Sequence, residues 1–225
     1  MTSVRRAPVL RIAHRGDWRR APENTLPAML AALEVPACDG VEFDVQASRD
    51  GVSILMHDDT LRRVWGRPER AEELPAAELE ALGVPRLASV LEAMPQRAFL
   101  DIELKEEPPP DFVEVVEAAR GAELRNAVVS SFHPAALTAV HRARPRWGLW
   151  LNAMDLSAAT VDAAVELGCR GISAEWRSLD ARVVAAARER GLDIASWTVR
   201  RRPTFDRLAR IGVMAVCVEA AALDG

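Results

Sequence analysis

Two carboxylates stand two residues apart in an apolar run, Val41-Glu42-Phe43-Asp44-Val45, and His57 follows a short loop later. Extended chain turns alternate side chains to opposite faces, so Glu42 and Asp44 share one face while Val41, Phe43 and Val45 take the other. Carboxylates held side by side repel unless one is protonated or a cation sits between them. A second run, Asp101-Ile102-Glu103-Leu104-Lys105, sets Asp101, Glu103 and Lys105 on one face and Ile102 and Leu104 on the other. A third, His14-Arg15-Gly16-Asp17, ends an apolar segment near the start. Burying such a charged face is costly unless its members neutralise one another or a ligand. A divalent cation is the simplest resolution. Glu42, Asp44 and Glu103 offer only oxygen, which suits Mg²⁺ or Ca²⁺ and argues against zinc or copper. The alternative is a structural network in which the same acids pair with Arg15 and Lys105. His14 and His57 stand at these charged strand ends, and imidazole is the side chain suited to proton exchange near neutral pH, so they are the candidate acid and base. His133 precedes Pro134 at a helix start and His141 lies on that helix, and both read as structural.

The elements that must position these groups follow from the hydrophobic pattern. Short apolar runs alternate with longer amphipathic ones from end to end, as in an α/β domain with a parallel sheet. Strands are expected at Val9 to Ala13, Gly40 to Val45, Ala98 to Leu104, Ala127 to Ser131, Trp147 to Leu151, Arg170 to Ala174, Asp193 to Val199 and Val213 to Val218. Val52 to Met56 adds a further extended segment after the Asp50-Gly51 turn. Helical patterns fall between the main strands. Eight strands with helical crossovers are the content of a TIM (β/α)8 barrel, whose active site sits at the carboxyl ends of the strands. Residues 62–84 read as a small polar insertion with one short helix, and the last outer helix is expected to be missing or vestigial. With no interior linker or low-complexity tract, residues 1–225 are expected to form one domain.

Composition narrows the function classes. The chain has 225 residues, 28% charged, with a formal net charge of −4, so nothing implies a general attraction to nucleic acid or anionic membranes. The arginine runs at Arg5-Arg6, Arg19-Arg20 and Arg200 to Arg202 read as solvated faces. Cys38, Cys169 and Cys217 are widely spaced and form no zinc or disulfide pattern, as in a reducing compartment. No long apolar run follows the N-terminal charges and none reaches the length of a membrane span, which makes the cytoplasm the default location.

Six short motifs then occur in order: Ile12-Ala13-His14-Arg15-Gly16, Pro22-Glu23-Asn24-Thr25, Val41 to Val45, His57-Asp58-Asp59-Thr60-Leu61, Asp101 to Lys105 and Trp197-Thr198-Val199. Together they resemble the glycerophosphodiester phosphodiesterase family of TIM-barrel enzymes, over almost the whole chain. The resemblance implies metal-dependent hydrolysis of small glycerophosphodiesters to sn-glycerol 3-phosphate and an alcohol, with one divalent cation, Mg²⁺ or Ca²⁺. It implies Glu42, Asp44 and Glu103 as metal ligands and His14 and His57 as the acid and base pair. Arg15 matches the residue that grips the phosphate and Lys105 adds charge to it. Glu23 and Asn24 match a segment lining the entrance, although Asn24 or Thr25 also suits the role of a helix cap. Trp197, and with it Phe132, matches an aromatic wall of the alcohol pocket. The chain departs from the family's pattern in its short insertion, in Arg200 where asparagine is usual, and in Val218-Glu219 where threonine and aspartate are usual. A lysophospholipase D-like activity and a non-catalytic phosphate-binding barrel are the competing expectations. The first would be told apart by comparing glycerophosphocholine with lysophosphatidylcholine.

Overall fold

A computed structural model describes residues 9–225, so the Arg5-Arg6 pair and its expected solvated face lie outside the described residues. The apolar runs become strands β1 (Leu10–His14), β2 (Gly40–Ala47), β3 (Ser53–Leu55), β4 (Phe99–Leu104), β5 (Ala127–Ser131), β6 (Leu149–Ala153), β7 (Gly171–Glu175), β8 (Asp193–Val199) and β9 (Ala215–Val218). Eight of them run parallel in the order β1-β2-β4-β5-β6-β7-β8-β9, and β9 pairs back onto β1 to close the sheet. This is the TIM barrel, and closure leaves no unpaired edge among these strands.

Helices α1 (Leu26–Leu33), α2 (Arg62–Trp65), α3 (Ala76–Ala81), α4 (Leu87–Ala93), α5 (Phe112–Arg120), α6 (Pro134–Ala143), α7 (Ala158–Glu166), α8 (Ala181–Glu189) and α9 (Arg202–Ile211) connect the strands. Local chemistry fixes several starts. The Thr25 hydroxyl accepts from the Ala28 N–H before α1, and the Asp180 carboxylate accepts from the Arg182 and Val183 N–H groups before α8. Pro134 opens α6, where its missing N–H costs nothing.

The core has two shells. Outward-facing strand residues such as Phe43, Ile102, Leu104 and Val129 pack against Met29, Phe112 and Leu137 of the helices. The barrel interior holds Ile12, Val128, Trp150, Ala195, Ala215 and Cys217. The Trp150 indole is fully buried and stacks on Phe99 with ring centroids 5.8 Å apart. Gly171 makes room for it, since a Cβ there would come within 2.9 Å of the indole and 2.5 Å of the Asp193 carbonyl oxygen. The lower barrel is thus plugged with apolar side chains, and charge is confined to the rim above.

Two details differ from the pattern-based expectation. β2 continues past Asp44 to Ala47, because β3 pairs with it antiparallel through Val45–Leu55 and Ala47–Ser53 and so supports it beyond the barrel rim. The insertion contains two α-helical segments, α2 and α3, with a 3₁₀ turn at Ala71–Glu73 between them, rather than one helix. α2 is a single turn ended by Gly66 in the left-handed region, too short for periodicity to register. The last outer helix is vestigial, as expected: after β9 only a 3₁₀ turn, Ala220–Ala222, takes its place. Among the described residues no helix is long and apolar enough to cross a membrane.

Candidate active site

Strand register assembles the acids. Glu42 on β2 lies opposite Asp101 on β4, Asp44 lies opposite Glu103, and His14 at the end of β1 lies opposite Glu42. Residues paired across parallel strands point the same way, so four carboxylates and an imidazole are set on the interior face at two adjacent levels. Oxygens of Glu42, Asp44 and Glu103 all come within 4.8 Å of one another. Glu42, Asp44 and Asp101 are each at most 3% exposed.

Two cations oppose this charge. Arg15 Nε lies 3.0 Å from Asp44 Oδ2 and its Nη1 donates to Glu23 Oε1 at 2.9 Å. Lys105 Nζ donates to Glu103 Oε1 at 2.7 Å and lies 3.3 Å from Asp44 Oδ1. The pairing foreseen for a structural network therefore forms, but it is short of cations. Burial, with Asp44 and Glu103 alongside, pushes the Glu42 carboxyl well above its usual range. Burial and the Asp44 charge likewise raise Glu103. Burial pushes Asp101 up to about 7, against the hydrogen bond its Oδ1 accepts from the Ser130 hydroxyl at 2.6 Å. At Asp44 burial also opposes ionisation, yet Arg15 and Lys105 prevail and hold that carboxyl low.

Glu42 Oε1 and Asp44 Oδ1 are buried and accept no hydrogen bond. Buried acceptors are rarely left this way. An all-oxygen donor set with two orphaned atoms and surplus negative charge fits a hard divalent cation, which would use those atoms and relieve the repulsion.

Both imidazoles have a carboxylate partner. His14 Nδ1 lies 2.6 Å from Glu219 Oε1, and His57 Nδ1 lies 2.6 Å from Asp58 Oδ1. Burial works against the Glu219 charge, but His14 and Arg200 hold its carboxyl at about 2. Hydrogen bonds from Arg63, with burial opposing and His57 adding, hold Asp58 at about 2 as well. An ionised carboxylate can only accept, so in each pair Nδ1 carries the hydrogen and Nε2 is the nitrogen left for chemistry. His14 Nε2 stands 3.9 Å from Glu42 Oε2.

A cavity of about 280 Å³ at the carboxyl ends of the strands gathers these groups. His14, Arg15, Glu42, His57, Glu103 and Lys105 supply its charged lining, and Phe132 and Trp197 its aromatic lining. The two aromatic rings meet edge to face at 5.5 Å, and Trp197 Nε1 donates to the Ser173 carbonyl at 2.8 Å. Asn152, Ser173 and Cys217 add to its lining.

Glu23 and Asn24 stand behind the cavity wall, not in it. Asn24 is 1% exposed, adopts a left-handed φ of 56°, and folds its amide onto Asp44, donating Nδ2 to Oδ2 at 2.8 Å and accepting from the Asp44 N–H at 3.1 Å. Glu23 bonds Arg15 on one side and Arg63 of α2 on the other. Arg63 also donates to Asp58. The insertion thereby ties His57, through Asp58, Arg63 and Glu23, to Arg15. Thr25 keeps its role as helix cap.

Sequence reasoning marks Glu219 only as a departure from the family's pattern, quotes Asp58 only within a motif, and assigns no role to either or to Arg63. Glu219 ends an apolar strand in the same way as the acids that were singled out, and Asp58 follows His57 directly, so both carried the signal. Arg63 carried none, because its partners lie 5 and 40 residues away across an irregular loop.

A parallel barrel with a buried oxygen-only acid cluster, a guanidinium and two carboxylate-backed imidazoles at its mouth has the groups that a hydrolytic TIM-barrel enzyme acting on phosphate esters requires. Comparison gives the family. Its glycerophosphoryl diester phosphodiesterase family profile matches residues 14–223, and the chain belongs to that family. A glycerophosphodiester phosphodiesterase of Caldanaerobacter subterraneus subsp. tengcongensis is 26% identical over 220 residues, covering 90% of each chain. One from Bacillus altitudinis is 32% identical over 163 residues, 64% of this chain and 66% of the relative. A solved structure of an Oleispira antarctica phosphodiesterase in complex with the product sn-glycerol-3-phosphate superposes with a TM-score of 0.78 at 26% identity, covering 94% of this chain and 93% of that one. The glycerophosphodiester phosphodiesterase of Thermotoga maritima shares the fold, with a TM-score of 0.81 at 23% identity over 97% of this chain and 96% of that one.

Proposed function

We propose that the chain hydrolyses glycerophosphodiesters to sn-glycerol 3-phosphate and a free alcohol, with His14 and His57 moving the protons and one divalent cation, Mg²⁺ or Ca²⁺, held by Glu42, Asp44 and Glu103. The observation that carries this reading is the shared cavity: both imidazoles line it beside the acid cluster, each with its Nδ1 committed to a carboxylate. The product bound by the Oleispira antarctica relative supports the choice of sn-glycerol 3-phosphate.

When bound, the cation would draw charge from the phosphoryl oxygens and favour ionisation of the nucleophile. The side chains do the rest. Arg15, pinned by Asp44 and Glu23, presents its guanidinium to the phosphate, a planar recognition that lysine cannot copy. Lys105 adds a second positive charge beside it, compensating charge that gathers on the phosphoryl group in the transition state. One imidazole takes the proton of the attacking hydroxyl, and the other gives a proton to the alcohol oxygen as its P–O bond breaks. The attacking hydroxyl belongs to water or to the glycerol C2 carbon, and in the second case water reopens the cyclic phosphate. Phe132 and Trp197 offer an apolar wall to the carbon skeleton.

The test is turnover of glycerophosphoglycerol by the purified chain, with sn-glycerol 3-phosphate measured as product. His14→Ala and His57→Ala should each lose ~10²-fold or more in kcat with the fold intact. Unchanged turnover in either variant removes that imidazole from proton transfer.

A further inference from the structure

Beside the catalytic cavity lies a second one of about 470 Å³, walled by Trp176, Arg177, Thr198, Arg200, Arg201 and Thr204. Thr198 belongs to the walls of both. Three arginines face this space, and Arg207 sits below it, donating to the Trp176 and Leu179 carbonyls with its guanidinium 5.7 Å from the Trp176 ring. The carboxylates that oppose them are already committed. Glu175 pairs with Arg177 at 2.7 Å, and Glu219 is shared between Arg200 at 2.8 Å and His14 at 2.6 Å. Arg201 makes no side-chain hydrogen bond or ion pair among the described residues. It is also the N-cap of α9, a helix whose start no side chain caps. On a chain of net charge −4, this is a local surplus of positive charge.

The position of the surplus is informative. Arg200 is one carboxylate removed from the His14 imidazole, so the second cavity reaches close to the candidate active site, with which it shares Thr198. The Arg177 guanidinium lies over the Trp176 ring, 4.2 Å from its centroid, which holds that cation at the cavity wall. A polyol can extend into this space while an anionic group at its end meets the arginines. A quaternary ammonium would meet repulsion instead.

The geometry points to a subsite for the alcohol half of the substrate that accepts a polyol bearing a second phosphate group. This rests on the phosphodiesterase reading and adds a substrate class to it: glycerophosphodiesters whose departing alcohol is itself anionic. Exposed arginines give modest, salt-sensitive gains, so the expected preference is about three- to tenfold.

The experiment compares kcat/KM for 1,3-bis(sn-glycero-3-phospho)glycerol and for glycerophosphoglycerol, which lacks the second phosphate, after correcting for the two equivalent ends of the former. At low ionic strength the wild type should favour the anionic diester about three- to tenfold, and added salt should erase the preference. Arg177→Ala with Arg201→Ala should bring the ratio to near one, and Arg201→Glu alone should lower it in the same direction. Both positions are on the surface, and turnover of glycerophosphoglycerol reports that the variants are folded. Equal efficiency on both substrates in the wild type overturns the subsite while leaving the phosphodiesterase reading intact. So does a preference that survives both variants. No turnover of either substrate by the wild type sinks the underlying reading, and the subsite with it.

Discussion

Glu219 Oε1 sits 2.6 Å from His14 Nδ1, joining the residue after the last barrel strand to the last residue of the first. The contact spans 205 positions of sequence and fixes which imidazole nitrogen faces the cavity. His57 and Asp58 make the same contact between neighbours in sequence. Glu219→Gln keeps the shape but lets the amide offer either a donor or an acceptor, so the imidazole loses its preferred tautomer. We expect kcat to fall about 10- to 100-fold with KM changed little, and Glu219→Asp to recover part of the loss. A rise in KM alone would mean that Glu219 shapes binding instead of proton transfer.

Arg63 holds two site residues at once, through Asp58 to His57 and through Glu23 to Arg15. Its side chain is about half exposed, so its ion pairs contribute little to folding. Arg63→Ala should lower kcat/KM roughly tenfold, since a small misplacement of catalytic groups is costly, while the thermal midpoint stays within about 2 °C. Steady-state kinetics with a melting curve on the same sample checks both halves.

If the acid cluster holds a cation as proposed, stability depends on pH and on cations together. Glu42, Glu103 and Asp101 have raised carboxyls, and Asp101 reaches about 7. A carboxyl raised on folding favours the native state at low pH, and that contribution is lost as pH rises from the ordinary carboxylate range through the raised value. The chelated protein should therefore melt lower at pH 8 than at pH 6. Added Mg²⁺ or Ca²⁺ should raise the midpoint by a few degrees at pH 8 and by less at pH 5, where protons compete for the same oxygens. Glu42→Gln should raise the midpoint of the chelated protein at pH 8 and abolish the response to cation. Differential scanning fluorimetry across pH reads all three outcomes, and an equal cation response at pH 5 and pH 8 would speak against them.

The plug beneath the site is a separate test of the fold. Trp150 is fully buried in the lower barrel, and its Nε1 has no hydrogen-bond partner. Trp150→Ala should cost about 3–5 kcal/mol by urea denaturation. Trp150→Phe keeps an aromatic ring against Phe99 and removes the unsatisfied donor, so its cost should be about 1 kcal/mol.

Alternation made the charged faces of β2 and β4 legible, because a strand written Val-Glu-Phe-Asp-Val has only one way to bury its apolar residues. The rhythm of apolar runs likewise carried the eight-stranded barrel. What alternation does not carry is register. That Glu42 meets Asp101 and Asp44 meets Glu103 depends on interstrand hydrogen bonds, which one-dimensional pattern leaves undefined. Asn24 was hidden for a different reason: its left-handed backbone turns the side chain back onto Asp44 and away from the entrance. The insertion was under-read because α2 is one turn long, and its contribution rests on the single side chain of Arg63, which periodicity does not mark.

The most direct test of the central claim is cation titration of the chelated enzyme, following sn-glycerol 3-phosphate released from glycerophosphoglycerol. If the three acids gather one ion beside the two imidazoles, the rate falls to background after chelation. It then returns with Mg²⁺ or Ca²⁺ along a curve that saturates at one ion per chain. Turnover indifferent to the chelator, or restored equally well in Glu103→Gln, would contradict the account.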